Sequence, residues 1–128
     1  MSSTTDPNED KNRRMQRIIA RTRELFLRDA RQRGAVVLET AVQWREGALS
    51  ASELGDSVHA YAHALRGVAL TVGCGRVHEL SEEAINCSIQ HSGGWNEEAL
   101  QGLIRMLTEL TEEVERETVK AEEGGSEH

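Results

Sequence analysis

The sequence has few aromatic residues, one proline and no long apolar run, and each of these features argues against a class of structure. Aromatic residues make up 3% of the chain, and β-strands draw on aromatic and β-branched residues, so the composition favours helices. The only proline is Pro7, so no later residue interrupts a long helix in the way that proline does. No apolar run approaches the roughly 20 residues that a membrane span needs, and we therefore expect no association with a membrane.

Cysteine is also scarce, with only Cys74 and Cys87 among the 128 residues. Both fall in segments with a helical pattern, where buried free thiols are the simplest interpretation. Free thiols favour a reducing compartment, and the first ten residues are polar and acidic, unlike a secretory signal. We therefore expect a cytoplasmic protein. It should form one domain, because the chain is too short for two ordinary cores.

Charge is distributed unevenly along the chain, whose formal net charge is −7. Arginine dominates residues 11–33, whereas glutamate dominates from Glu79 onward. An arginine-rich segment can bind nucleic acid, or it can pair with an acidic helix inside a bundle. Because the total charge is acidic, we expect no nucleic-acid partner. The alternative, a nucleic-acid-binding first helix, predicts an affinity that falls steeply as the salt concentration rises.

Breaks rich in glycine and serine at 47–52, 73–75 and 92–94 divide the chain into four segments with helical periodicity. Helices joined by short connections pack as antiparallel neighbours. The sequence therefore predicts an all-α fold, an antiparallel up-down four-helix bundle with an N-terminal helical extension.

The first segment, about residues 10–46, is either one long helix or two. Gly34 lies within it, and a glycine costs about 1 kcal/mol relative to alanine in a helix interior. Gly34 therefore marks either a break or a close contact between helices. We expect the bundle to span residues 11–120, between disordered polar ends at 1–10 and 121–128.

The second segment has the most regular pattern. Ser50 and Glu53 have the spacing of a capping box, which begins a helix. Its apolar residues are spaced four and three apart, as in a helix with one face in a core. They are Leu54, Val58, Tyr61, Leu65, Val68 and Val72. The corresponding stripes of the third and fourth segments are Val77, Leu80, Ala84 and Cys87, and then Leu100, Leu103, Leu107, Leu110 and Val114.

His63 lies away from this apolar stripe. A helix turns about 100° per residue, so His63 is about 200° from both Tyr61 and Leu65 and should face solvent. Its own face of the helix carries the residues three, four and seven positions away. Those with a chemical use are His59, Arg66, Gly67 and Leu70.

This face suits a histidine that carries a phosphoryl group. An exposed imidazole is partly neutral and nucleophilic near neutral pH, and phosphoryl transfer mainly requires positioning and charge stabilisation. Arg66 can offer its guanidinium group to phosphoryl oxygens. Gly67 is unfavourable inside a helix, and clearance for a docking protein would explain it. We therefore predict that His63 is the phosphoacceptor, that Arg66 stabilises charge and that Gly67 provides clearance.

A short run around this histidine has a known counterpart. It reads Ala62-His63-Ala64-Leu65-Arg66-Gly67, and Gly73 follows ten residues after the histidine. The run resembles the signature of the histidine-containing phosphotransfer (HPt) domains of two-component phosphorelays, His-x-Leu-Lys-Gly with a glycine at the same distance. The resemblance covers about residues 20–117 and is strongest over 58–84.

The resemblance implies a monomeric four-helix bundle that relays a phosphoryl group to and from receiver-domain aspartates through His63. Such a chain is a phosphotransfer intermediate rather than an autonomous kinase. Its partners are a response-regulator receiver domain, a histidine kinase or both. It needs no cofactor of its own, because the receiver supplies the aspartate and the magnesium ion. His59 and Leu70 are then candidate contacts with the partner.

Two features depart from the family's pattern. Arg66 stands where the family has lysine, which keeps the charge but changes its reach. Val68, Ala69 and Leu70 stand where small polar residues are common, so the surface that faces a partner is more apolar. The alternative function is a bundle of the same fold that does not transfer phosphate, acting as a receiver-binding or scaffold module.

Two cysteine–histidine pairs have the i, i+4 spacing that can hold a transition metal. They are Cys74 with His78 and Cys87 with His91. Their first members lie about 20 Å apart along one helix at 1.5 Å per residue, so the four side chains cannot close one tetrahedral site. We predict buried thiols and surface histidines here, and no metal site.

Overall fold

Four α-helices account for most of residues 7–126, the part of the chain that the computed structural model describes; side chains are described for residues 7–123. The helices are α1 (Pro7–Arg45), α2 (Ala51–Ala69), α3 (Gly75–Gln90) and α4 (Glu97–Ser126). No strand occurs within the described range. The predicted all-α fold is therefore confirmed.

The helices pack as a bundle in chain order. Each connection between consecutive helices is only five or six residues long, α1 contacts α2 and α4, and α3 contacts the same two helices. Along α1 and α4, Arg31 lies beside Glu115 and Gly34 lies beside Thr111. α1 and α4 therefore run in opposite directions, which is the predicted antiparallel arrangement.

One core runs between the four helices, and the apolar stripe of α4 is buried as the sequence predicts. In α2 the prediction is wrong at Val68, which is 37% exposed, whereas Ala69 is fully buried. The reason is that α2 also buries Gly55 and Ala62, so the centre of its buried face lies further round the helix. The small residues on that side allow the neighbouring helices to approach closely.

α1 is a single helix, and Gly34 is a close contact rather than a break. A Cβ atom on Gly34 would lie 2.6 Å from the hydroxyl oxygen of Tyr61 and 3.1 Å from Cγ2 of Thr111. The same Tyr61 hydroxyl donates a 2.8 Å hydrogen bond to the carbonyl oxygen of Ala30. α1 and α2 therefore meet at a point where α1 has no room for a side chain.

Both terminal helices reach further than the sequence predicts. α1 begins at Pro7, since the missing N–H of proline needs no partner in the first turn, and α4 continues to Ser126. Residues 7–10 and 121–126, predicted as parts of a disordered leader and tail, are therefore helical. The rest of both predicted ends lies outside the described residues.

The predicted N-terminal extension belongs to α1. Arg23 donates a hydrogen bond to the carbonyl oxygen of Val72, just after α2 ends. The part of α1 before Arg23 therefore extends past α2, and most of its side chains are exposed. No helix within the described range is both long enough and apolar enough to cross a membrane.

Both cysteines carry free thiols. Cys74 is buried just before α3, and Cys87 is half-buried within that helix. Burial raises the pKa of the Cys74 thiol, and Glu117 raises it further, while Arg23 acts in the opposite direction. Burial also raises the pKa of Cys87. Both thiols are therefore held in the protonated form that reacts slowly with electrophiles.

We expect iodoacetamide to alkylate both cysteines at pH 8 more slowly in the folded protein than in urea, with Cys74 the slower of the two. The physical reason is the raised pKa together with restricted access. Because both thiol pKa values are raised in the folded protein, the unfolded chain loses these protons at a lower pH. The free energy of unfolding should therefore fall as the pH rises above the ordinary thiol pKa. Mass spectrometry of timed samples measures both rates, and equal rates for Cys74 in the folded and unfolded chain would contradict its burial.

Candidate functional site

The helix that carries the site is held at both ends. At its start, the Ser50 hydroxyl oxygen accepts a 3.1 Å hydrogen bond from the backbone N–H of Glu53, and the Glu53 carboxylate accepts one from the Ser50 hydroxyl. At its end, Arg23 of α1 holds the carbonyl of Val72, next to Gly73 with its positive φ of 80°. The first pair of contacts caps the start of α2, and the contact with Arg23 ties the segment after its end to α1.

His63 lies near the middle of α2 on the side away from the core. Its ring is exposed, whereas Tyr61 and Leu65, two positions to either side, are buried. Gly67, one turn further along, is exposed, and a Cβ atom placed there would meet nothing within 4 Å. The surface beside His63 is therefore open in the direction of the helix C-terminus.

Arg66 provides a positive charge one turn from His63. Its side chain is half-buried in the last turn of α2. Among the described residues it forms no ion pair, although other arginines such as Arg21 and Arg31 do. Its guanidinium group is consequently available to an anion next to His63, and guanidinium groups bind phosphoryl oxygens through paired hydrogen bonds.

His59 is held by α3. Its Nδ1 lies 2.6 Å from the hydroxyl oxygen of Ser88, and the Ser88 hydroxyl lies 2.9 Å from the carbonyl oxygen of Ile85, which it donates to. The Ser88 hydroxyl has one hydrogen; when it donates that hydrogen to Ile85, its oxygen can accept from Nδ1–H of His59. In that tautomer Nε2 of His59 keeps its lone pair.

The rings of His59 and His63 lie one above the other along the helix. Their centroids are 6.1 Å apart and their planes are inclined by 26°. The two imidazoles therefore lie on one face of the helix, and the ring of His59 also contacts Ser88 of α3.

Leu70 lies at the end of the same face. It is 60% exposed and follows the last residue of α2, with backbone angles that are still helical. A single exposed leucine is common on protein surfaces, so its exposure alone does not identify a contact. Ile89 of α3 is also 60% exposed.

The structure thus places all five predicted residues on one outward face of α2 and its end. It adds Ser88, which the sequence reasoning did not identify. The available signal was the spacing of Ser88 from Ser81 and Val77, seven and eleven positions, since Val77 and Ser81 both lie on the buried face of α3. That spacing predicts that Ser88 is buried, but it does not identify the contact with His59, which depends on how α2 and α3 pack.

The site is a surface rather than a pocket. A hollow of about 220 Å³ lies between α2, the end of α3 and Trp95, and His59 lines it but His63 does not. Pockets for small molecules usually measure about 300–1,000 Å³ and enclose most of the ligand. The open face around His63 therefore suits the surface of another macromolecule.

The two cysteine–histidine pairs have other contacts. Nε2 of His78 lies 3.3 Å from a carboxylate oxygen of Glu82, and Cys74 is buried. The ring of His91 packs against Trp95, with centroids 5.4 Å apart. Across the described residues no three His, Cys, Asp or Glu side chains are grouped as a metal cluster.

Comparison of this chain with protein-family models, with curated protein sequences and with solved structures gives no match. Its function is therefore inferred from the chemistry of the α2 face. That face combines an exposed imidazole, an unpaired guanidinium group and an open glycine.

Proposed function

We propose that this chain is a histidine phosphotransfer protein of the HPt type, which relays a phosphoryl group between receiver-domain aspartates through His63. One observation carries the proposal: His63 is exposed opposite the core, and the helix surface beside it is left open by Gly67. An ordinary surface histidine needs neither the glycine nor the unpaired arginine next to it.

The transfer step uses the lone pair of one ring nitrogen of His63. This nitrogen attacks the phosphorus of an aspartyl phosphate on the receiver, the N–P bond forms, and the P–O bond to the aspartate breaks. The aspartate leaves as a carboxylate, and the proton on the other ring nitrogen is free to pass to water. Transfer to a second receiver is the reverse of this step. The receiver supplies the magnesium ion, so the chain needs no cofactor of its own.

The shape of the face fits a partner that encloses the reacting group. Phosphoryl transfer depends mainly on alignment and on charge stabilisation. Because the ring of His63 is exposed at the surface, the partner's active site would have to surround it, and Gly67 leaves room for that approach. Leu70 and His59 flank the ring and would contact the partner.

Arg66 is expected to contribute to the rate of transfer. Arg66→Ala should slow transfer from a phosphorylated receiver about tenfold, which corresponds to roughly 1.4 kcal/mol, close to the lower end of the range for a hydrogen bond to a charged group. Arg66→Lys keeps the charge and should retain most of the rate. Rapid-quench measurement of the labelled species gives both rates, and an unchanged rate for Arg66→Ala would exclude this role.

The proposal is tested by transfer from radiolabelled receivers. Each purified receiver domain of the source organism is phosphorylated with acetyl phosphate and mixed with the chain. We expect label that is labile in acid and stable in base, as phosphohistidine is. Trypsin cleaves after Arg45 and Arg66, so the label should appear in peptide 46–66, and fragmentation of that peptide separates His63 from His59.

Three outcomes would contradict the proposal. Label on another residue would move the site, and the absence of label with every receiver would exclude the activity. A receiver that binds without transferring its phosphoryl group would instead indicate the alternative, a receiver-binding or scaffold module of the same fold.

A further inference from the structure

We propose that His59 and His63 together form a chelating site for one divalent transition-metal ion of the kind that prefers imidazole ligands, and that the bound ion competes with the phosphoryl group for His63. The chelation itself is independent of phosphotransfer. The competition rests on the proposed function.

His59 and His63 have the spacing of two imidazoles that bind one metal ion. Histidines at i and i+4 lie on the same face of a helix one turn apart, and this spacing places two imidazoles on one zinc ion in helical metal sites. The two centroids are 6.1 Å apart with nearly parallel rings. A tetrahedral ion bound at 2.0–2.1 Å needs the two ligand nitrogens roughly 3.3 Å apart. His63 is exposed, so its ring can rotate toward His59 without disturbing the core.

The contact with Ser88 orients the ring of His59. A metal-binding histidine typically donates its other ring N–H to a neighbouring oxygen, which fixes the ring and the position of its proton. Nδ1 of His59 lies 2.6 Å from the Ser88 oxygen. The tautomer with its proton on Nδ1 has this arrangement and leaves the lone pair of Nε2 for an ion. One ligand is therefore oriented in advance, which lowers the entropy cost of binding.

The two histidines fill only two of the coordination positions of the ion. No third His, Cys, Asp or Glu is grouped with this pair among the described residues. Water or a partner's side chain would complete the coordination of the ion, so binding is reversible. The two cysteine–histidine pairs are weaker candidates, because the raised pKa of both thiols opposes formation of the thiolate that binds metal.

Occupation of this site blocks the nucleophile. The lone pair of His63 that coordinates the ion is the one that would attack phosphorus, and one ring nitrogen cannot do both. A transition-metal ion would thus inhibit phosphotransfer without changing the fold.

Binding is tested by calorimetric titration of the untagged full chain with nickel chloride at pH 7.5. Ni²⁺ is the probe because it is suited to imidazole, whereas thiolates select zinc and copper(I). We expect one ion per chain, and a rise in the unfolding temperature, since an ion that binds only the folded chain stabilises it. His59→Gln and His63→Gln should each weaken binding at least tenfold.

Two variants serve as controls for the binding site. His91→Gln removes the histidine of the Cys87 pair and should bind Ni²⁺ like the wild type. Ser88→Ala should weaken binding about tenfold, as loss of a residue that orients a ligand does. The site is overturned if the wild type binds no Ni²⁺ at millimolar concentration, if His59→Gln binds as well as the wild type, or if His91→Gln loses binding.

The competition is measured as the ratio of labelling rates with and without Ni²⁺, taken within each variant. In the wild type, Ni²⁺ should reduce the labelling rate at least tenfold. In His59→Gln, which keeps His63 but loses the chelate, the rates with and without Ni²⁺ should be nearly equal. An equal fall in both proteins would locate the inhibition in the receiver and overturn the competition. Ni²⁺ binding without any labelling would remove the phosphotransfer proposal alone, and labelling without Ni²⁺ binding would remove the metal site alone.

Discussion

His63→Gln is expected to abolish the base-stable label completely and to leave the bundle intact. Glutamine is polar and similar in length but has no nucleophilic nitrogen, so the N–P bond cannot form. The His63 side chain is exposed, and the ring of His59 is its one aromatic neighbour in the described chain. Surface substitutions of this kind change the free energy of unfolding by about 0.5 kcal/mol or less. Circular dichroism and a urea titration measure the fold, and transfer from a labelled receiver measures the activity.

His91→Gln is the matched control for this experiment. His91 is half-exposed and caps the C-terminal end of α3, and its ring packs against Trp95 rather than against His63. We expect full labelling of this variant. Label retained by His63→Gln, or lost from His91→Gln, would remove His63 from the role proposed for it.

Gly34→Ala is expected to destabilise the bundle by about 1–3 kcal/mol, the range found for overpacked cores. Helix propensity alone predicts the opposite sign, because alanine is about 1 kcal/mol better than glycine in a helix. Packing decides the outcome, since the added Cβ would lie 2.6 Å from the hydroxyl oxygen of Tyr61, a buried and rigid side chain. Urea titration measures the free energy of unfolding.

Two further variants separate the contact from propensity. Adding Tyr61→Phe to Gly34→Ala removes the clashing oxygen, so the double variant should lose less than the sum of the two single changes. Gly67→Ala meets no atom within 4 Å and should stabilise the bundle by up to about 1 kcal/mol while slowing transfer. A Gly34→Ala protein as stable as the wild type would show that α1 and α2 can separate at this point.

The helices, their order and the outward orientation of His63 could be predicted because they follow from local patterns. The Ser50 cap and the four-and-three spacing from Leu54 to Leu65 are properties of one segment. The position of His63 then follows from the angle per residue. No contact between distant segments is needed for any of these inferences.

Features that depend on contacts between helices could not be predicted in the same way. The choice between a break and a close contact at Gly34 depends on where Tyr61 meets α1. The hydrogen bond between His59 and Ser88 joins residues 29 positions apart. Val68 was misplaced because the buried face of α2 is shifted toward its small residues, which only the neighbouring helices reveal.

The exposed position of His63 also bears on how long a signal would last. A phosphoryl group attached to this ring would be in contact with water once the partner had dissociated. Its survival would follow the intrinsic hydrolysis of a phosphoramidate, and its onward delivery would follow the frequency of encounters with the next receiver. The lifetime of the phosphorylated protein would then depend on the stability of the N–P bond and on the abundance of its partners.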